Sequence, residues 1–206
     1  MISPNRIVLV RHGETDGRSS TRYFGATDVR LSDLGRAQMR QAANRVPGDA
    51  FPLVLSSPLS RAWESAQLIA PPSGEVRLLD ELREIHFGEW EGLTAEEIQA
   101  RDPMRFEDWR ARRPGFEYPG GERRADFDAR IERAVLGMLA SPVFSLLVVA
   151  HKGVIRTIVR RVAGEDLPEG LPELGAVVQL TRDVNRRWFV GRRTSDPEES
   201  CSLGRC

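Results

Sequence analysis

The chain has 206 residues, of which 40% are hydrophobic. That length suffices for one well-buried core and is short for two complete domains. Lys+Arg and Asp+Glu are equal at 30 each, which excludes both the overall positive field of a nucleic-acid binder and an acidic surface seeking a basic partner.

The first element is Ile7-Val8-Leu9-Val10, a run of four aliphatics that ends abruptly in Arg11-His12-Gly13-Glu14-Thr15. It reads as a strand buried on both faces. Ser32 is a natural N-cap for a helix running to about Val46, where Pro47-Gly48-Asp49 stops it. Leu53-Val54-Leu55-Ser56 is a second buried strand. Pro58 marks the start of a helix whose apolar face carries Leu59, Ala62, Trp63, Ala66 and Ile69. Pro71-Pro72-Ser73-Gly74 ends it, and Val76-Arg77-Leu78-Leu79 gives a third strand. From Phe87 to Gly121 the pattern loosens into short helical pieces, an excursion over one end of the sheet. Phe127, Ile131, Ala134, Val135 and Met138 mark an amphipathic helix leading into Leu146-Leu147-Val148-Val149-Ala150-His151. Val154, Ile155, Ile158, Val159 and Val162 mark the helix that follows. Two final strands, Ala176 to Leu180 and Arg187 to Gly191, flank a turn at Asp183-Val184-Asn185.

Strands alternating with helices predict an α/β three-layer sandwich, with a largely parallel central sheet and helices on both faces. One domain is expected over residues 1–194, with a lid insertion at about 87–121. Residues 195–206 read as a flexible tail carrying Cys201 and Cys206 as reduced thiols. No segment approaches the roughly 20 apolar residues that span a bilayer. The first residues lack a basic n-region followed by a signal-length apolar run. A cytoplasmic protein is therefore expected, with neither membrane nor nucleic acid as partner. No exposed apolar helix face stands out to mark an oligomer interface.

Two strands each deliver a histidine, His12 and His151, to the carboxyl edge where open α/β sheets bind ligands. The plainer reading has each one capping its strand by a hydrogen bond to a nearby carbonyl. Arg61 falls in the first turn of the helix after the second strand, so with Arg11 and the helix N-terminus it makes an anion site. Its alternative is a surface ion pair with Glu64 or Asp80. Glu84 follows the third strand and precedes aromatic residues that would desolvate a carboxyl group, which makes it a candidate general acid. Glu81 and Glu89 compete for that role, and an ion pair of Glu84 with Arg83 or Arg22 is the plainer reading. His86 reads as a surface or lid residue.

Taken in order, Arg11-His12-Gly13-Glu14-Thr15, Ser56-Ser57-Pro58-Leu59-Ser60-Arg61-Ala62, Leu82-Arg83-Glu84 through Gly92, Pro119-Gly120-Gly121-Glu122 and Ala150-His151 resemble the histidine phosphatase superfamily, or phosphoglycerate mutase-like clan. The resemblance implies that His12 is the nucleophile that takes the phosphoryl group. It implies that Arg11, Arg61 and a protonated His151 surround its oxygens, while Glu84 protonates the leaving oxygen and later activates water. No metal or other cofactor is implied, and the partner is a small phosphorylated substrate. Two positions depart from the family pattern. Arg18 stands where an asparagine commonly touches phosphate, and Lys152 stands where glycine is usual. Arg18, Arg22 and Lys152 are accordingly candidate substrate contacts. The short interval between Glu84 and His151, with the Phe87-Gly88-Glu89-Trp90-Glu91-Gly92 segment, resembles the phosphatase branch. A phosphoglycerate mutase and a non-catalytic phosphate-binding member are the alternatives. Phe106, Trp109, Phe116 and Tyr118 are expected to pack the lid onto the sheet or to stack on a substrate ring, and Arg110, Arg112 and Arg113 to form a solvated face.

Overall fold

The computed structural model describes residues 3–47, 51–71 and 75–191. Six strands form one sheet: β1 (Arg6–Arg11), β2 (Leu53–Ser56), β3 (Glu75–Leu78), β4 (Ser145–Ala150), β5 (Val177–Arg182) and β6 (Trp188–Val190). Their order is β3-β2-β4-β1-β5-β6. The first four in that order are mutually parallel, and β5 joins β1 antiparallel. The two most apolar strands, β1 and β4, are adjacent and central. Their register sets Arg11 opposite Ala150, so His12 and His151 leave the sheet side by side.

Alternation along the strands divides the core in two. Ile7, Leu9, Leu146 and Val148 face α5 (Arg124–Ala140) and α6 (Lys152–Ala163). Val8, Val10, Leu147 and Val149 face α1 (Asp33–Ala43) and α2 (Ser60–Ile69). Both faces are covered, which gives the three layers and explains why the central strands are uninterrupted hydrophobic runs.

Local departures have physical causes. Helix α1 stops at Ala43 and continues only as a turn, with the amides of Arg45 and Val46 both returning to Ala42 O. β3 is shifted one residue towards the N-terminus and is an exposed edge strand. Trp63 is 45% exposed and not part of the buried face of α2. That helix turns the side carrying Arg61 and Ser65 inward together with Ala62, Ala66 and Ile69, because the Arg61 guanidinium is committed to the interior.

Between β3 and α5 the chain makes two short 3-10 turns, Asp80–Leu82 and Gly88–Trp90, and two helices, α3 (Ala95–Arg101) and α4 (Pro103–Arg110). Thr94 and Glu97 cap α3 reciprocally, and Asp102 caps α4 ahead of Pro103. The aromatic residues of this excursion neither pack flat on the sheet nor stand free. Trp90, Ile98 and Phe106 form a third core with Tyr23, Trp109, Phe116 and Tyr118 around them. Phe87 and Tyr118 belong to its border with the main core. The proposed tail, with Cys201 and Cys206, lies outside the described residues.

Candidate active site

His12 is buried, and its Nδ1 lies 2.7 Å from Gly13 O. A carbonyl only accepts, so Nδ1 carries the proton and the Nε2 lone pair is left for chemistry. The ring meets His151 edge-on, with centroids 5.1 Å apart. Backbone contacts hold the His12 loop: His12 N–H donates to Ala150 O at 3.1 Å and Gly175 N–H donates to His12 O at 3.2 Å. Gly13 and Gly35 pack backbone against backbone, so a side chain at either would strike the other segment. That close approach fixes the N-terminus of α1 against the loop.

Burial, then the neighbouring Arg61 and Arg11 charges, holds the His12 pKa well below its ordinary value. The same causes, burial first, hold His151 down. Both rings are therefore neutral at pH 7 in the protein by itself. This suits His12 as a nucleophile and leaves His151 without a proton before an anion arrives, because burial and the two neighbouring guanidiniums disfavour a further positive charge. His151 shares a 2.8 Å hydrogen bond with Ser57 Oγ. Ser57 was legible as part of its motif but not as a partner.

Arg61 is fully buried and pairs with neither Glu64 nor Asp80. Glu64 binds Arg36, and Asp80 binds Arg83. Its guanidinium donates to three backbone carbonyls of one loop: Thr27 O at 2.8 Å, Phe24 O at 3.0 Å and Gly25 O at 2.7 Å. Glu91 grips the same loop from its amide side, accepting from Gly25, Ala26 and Thr27 N–H and also from Phe87 N–H. Burial would raise the Glu91 carboxyl pKa, yet these hydrogen bonds hold it below the ordinary value. Asp28, next in the loop, accepts from Ser60 N–H and Ser60 Oγ at the start of α2. The first amide of that helix is thus spoken for.

Arg11 donates through Nη1 to Pro172 O at 2.9 Å. Burial pulls its pKa down to about 10, against the raising influence of Glu84 and Glu14, so it remains charged at neutral pH. Arg11 Nε, Arg61 Nε and His151 Nδ1 are buried without a hydrogen-bond partner. Buried polar nitrogens seldom stay unpaired, and here two of them belong to the guanidiniums whose charges act on both the His12 and His151 rings. A tetrahedral oxyanion has the acceptors to satisfy them.

Glu84 is 7% exposed, and its carboxylate accepts from Ile85 N–H at 3.0 Å and Gly153 N–H at 2.9 Å. A Cβ on residue 153 would come within 2.6 Å of Glu84 Oε1, so glycine is required for this approach. Neither Arg83 nor Arg22 pairs with Glu84. Arg130 anchors the segment by donating to the carbonyls of Glu81, Arg83 and Glu84 at 2.6 to 3.1 Å, while Glu122 accepts from the other side of its guanidinium. Glu89 is exposed, and Glu81 offers the clamp its backbone oxygen.

The remaining candidates are placed differently. Arg22 binds Glu97 through two nitrogens and Gly92 O through Nη1, a lid contact that uses its donors away from the imidazoles. Arg18 is exposed in a left-handed conformation, φ 61°, and its guanidinium makes no hydrogen bond or ion pair with a described residue. Below it, the Glu14 carboxylate organises residues 15–20 by accepting from Thr15 N–H, Ser19 Oγ and Ser20 N–H. Lys152 begins α6, half-buried beside the cage. Among the described residues no group of three or more His, Cys, Asp or Glu is placed to hold a metal ion, and no helix is long and apolar enough to cross a membrane.

Comparison with known proteins places the fold in a family. The family model of the histidine phosphatase superfamily (branch 1) matches residues 7–190. Glucosyl-3-phosphoglycerate phosphatase of Mycobacterium tuberculosis is 38% identical over 161 residues, 73% of this chain and 71% of that protein. The crystal structure of a putative alpha-ribazole-5'-P phosphatase from Escherichia coli superposes with a TM-score of 0.77 at 26% identity, covering 92% of this chain and 96% of the other. A mycobacterial glucosyl-3-phosphoglycerate phosphatase complexed with VO3 has a TM-score of 0.77 at 33% identity, covering 91% and 97%.

Proposed function

The chain belongs to the histidine phosphatase superfamily, branch 1, and we propose that it hydrolyses small phosphorylated metabolites in the cytoplasm through a phosphohistidine formed on His12. Its membership and its phosphatase-named relatives make it a phosphatase. The observation that carries the mechanism is the neutral His12 ring, tethered through Nδ1 to Gly13 O, under two buried guanidiniums with unpaired Nε donors.

In the first step His12 Nε2 attacks phosphorus as the ester P–O bond breaks, and Glu84, entering the cycle as the carboxylic acid, gives its proton to the leaving oxygen and becomes a carboxylate. In the second, water gives a proton to Glu84 and attacks phosphorus, the P–N bond breaks and inorganic phosphate departs. One hard displacement becomes two easier ones. Arg11 and Arg61 stabilise charge on the equatorial oxygens and were placed before the substrate arrived, so little reorganisation is needed. The incoming dianion favours a proton on His151, which then becomes a further donor. The insertion at about 87–121, with an aromatic cluster that also takes in Tyr23, forms the lid that shapes the entrance, and residues 1–194 act as one domain.

The test is a rapid-quench reaction with a 32P-labelled phosphomonoester. An acid-labile, base-stable adduct is expected in the wild type and absent from His12→Ala. Turnover without any such adduct would replace the covalent mechanism with direct attack by water.

A further inference from the structure

Lys152 stands between the two residues that complete the site. His151 precedes it and closes the cage, and Gly153 follows it and holds the Glu84 carboxylate. The lysine is half-buried, yet it forms no hydrogen bond or ion pair with any described residue. Four charged groups act on it electrostatically: Arg11, Arg156, Glu84 and Glu169. Every one is engaged elsewhere. Arg11 binds Pro172 O, and Arg156 donates to the carbonyls of Leu167, Pro168 and Leu171. Glu84 accepts two amides, and Glu169 is 3.1 Å from Arg112 of the lid.

Burying an ammonium that has no direct ion pair is costly. The Lys152 pKa is lowered, by burial first and then by Arg11 and Arg156, against the raising influence of Glu84 and Glu169. A lysine merely pointing into water would show neither burial nor this crowding. Meanwhile Arg11 and Arg61 supply two charges for a phosphoryl dianion. The lysine is then surplus to the phosphate itself.

Resting on the reading of the His12 cage as a phosphoryl site, we propose that Lys152 is a second anion subsite beside it, selecting phosphomonoesters that carry a carboxylate or second phosphate on the same small molecule. An ammonium on a flexible stem is a point charge that either anion can satisfy.

Three phosphonates on one carbon skeleton test this without turnover: propylphosphonate, 3-phosphonopropanoate and propane-1,3-diylbisphosphonate, with binding measured by calorimetry. The two ligands with a second anion should bind roughly fivefold tighter than propylphosphonate, the size of one partly exposed charge pair. That ratio should shrink as salt is raised. Lys152→Met should bring it close to one, and Lys152→Arg should retain it. Lys152→Gln repeats the measurement should Lys152→Met not fold. A preference for only one of the two charged ligands keeps the subsite and identifies its anion. Equal binding of all three by the wild type, or a preference that survives in Lys152→Met, overturns the subsite while leaving the cage intact. Failure of all three to bind overturns the phosphoryl cage and the subsite with it.

Discussion

His12 and His151 are positioned in one way, Arg61 and Glu84 in another. The imidazoles sit one residue beyond two adjacent strands with fully buried interiors, and the β1–β4 register brings them together. The guanidinium and carboxylate come from a helix start and a loop, and each is held by hydrogen bonds that reach far along the chain. Arg61 holds carbonyls 34 to 37 residues away, and Arg130 holds carbonyls 46 to 49 residues away. The nucleophile is thus a property of the sheet. The electrophilic and acid-base partners are properties of two polar clamps. Mutations in the two regions should accordingly fail in different ways.

The largest loss is expected at the sheet edge, with the fold left standing. His12→Asn removes the nucleophile but no strand pairing, so kcat/KM should drop by roughly 10⁴-fold or more while the thermal midpoint stays close to that of the wild type. A large drop in midpoint would mean that His12 is also a fold determinant. Arg61→Met comes next, at about 10³-fold, and it should damage structure as well. Three carbonyls lose their donor, so amide exchange at Gly25, Ala26 and Thr27 should accelerate. Arg61→Lys cannot restore this, because one ammonium does not reproduce the fork.

Smaller but more telling is Glu91→Gln. This carboxylate touches no reacting group in the proposed mechanism and acts through the loop that Arg61 holds, so it is a positioning residue. An amide side chain offers one accepting oxygen where two now serve four backbone N–H groups. The expected result is a fall of roughly 10- to 100-fold in kcat with a lesser change in KM, accompanied by faster exchange in residues 25–27. A variant with unchanged kcat would show that the loop stays in place without the carboxylate, and the clamp would lose its functional meaning.

That division also explains what could be read from the sequence. The three layers, the parallel core of the sheet and the pair of histidines follow from hydrophobic runs ending in polar residues, a signal carried by neighbours in the chain. Arg61 and Glu84 could be nominated by type and place. What each touches could not, because nothing in the sequence links Glu91, Arg130 or Ser57 to its partners until the fold brings them together. Spacing alone places Trp63 on the buried stripe of its helix, whereas the interior commitment of Arg61 turns it outward. The pairing of Arg22 with Glu97 is likewise invisible in the sequence.

The smallest effect concerns stability rather than rate, and it distinguishes the buried rings from the clamps through pH. Both histidines have pKa values pushed well below the ordinary value, chiefly by burial and then by the guanidiniums. Unfolded chains bind protons at these rings below about pH 6.5, whereas the folded protein does not. The unfolded state therefore holds more protons, and stability must fall as pH drops below 6.5 and must recover as pH rises through it. Each ring that stays neutral contributes about 1.4 kcal/mol per pH unit to that slope. Denaturant unfolding between pH 5 and 7 should show it, and His12→Asn with His151→Asn should flatten it. Inorganic phosphate should oppose the loss, since a bound dianion favours protonated imidazole. A slope unaltered by the double substitution would mean that carboxylates or His86, and not the two sheet-edge rings, set the acid sensitivity.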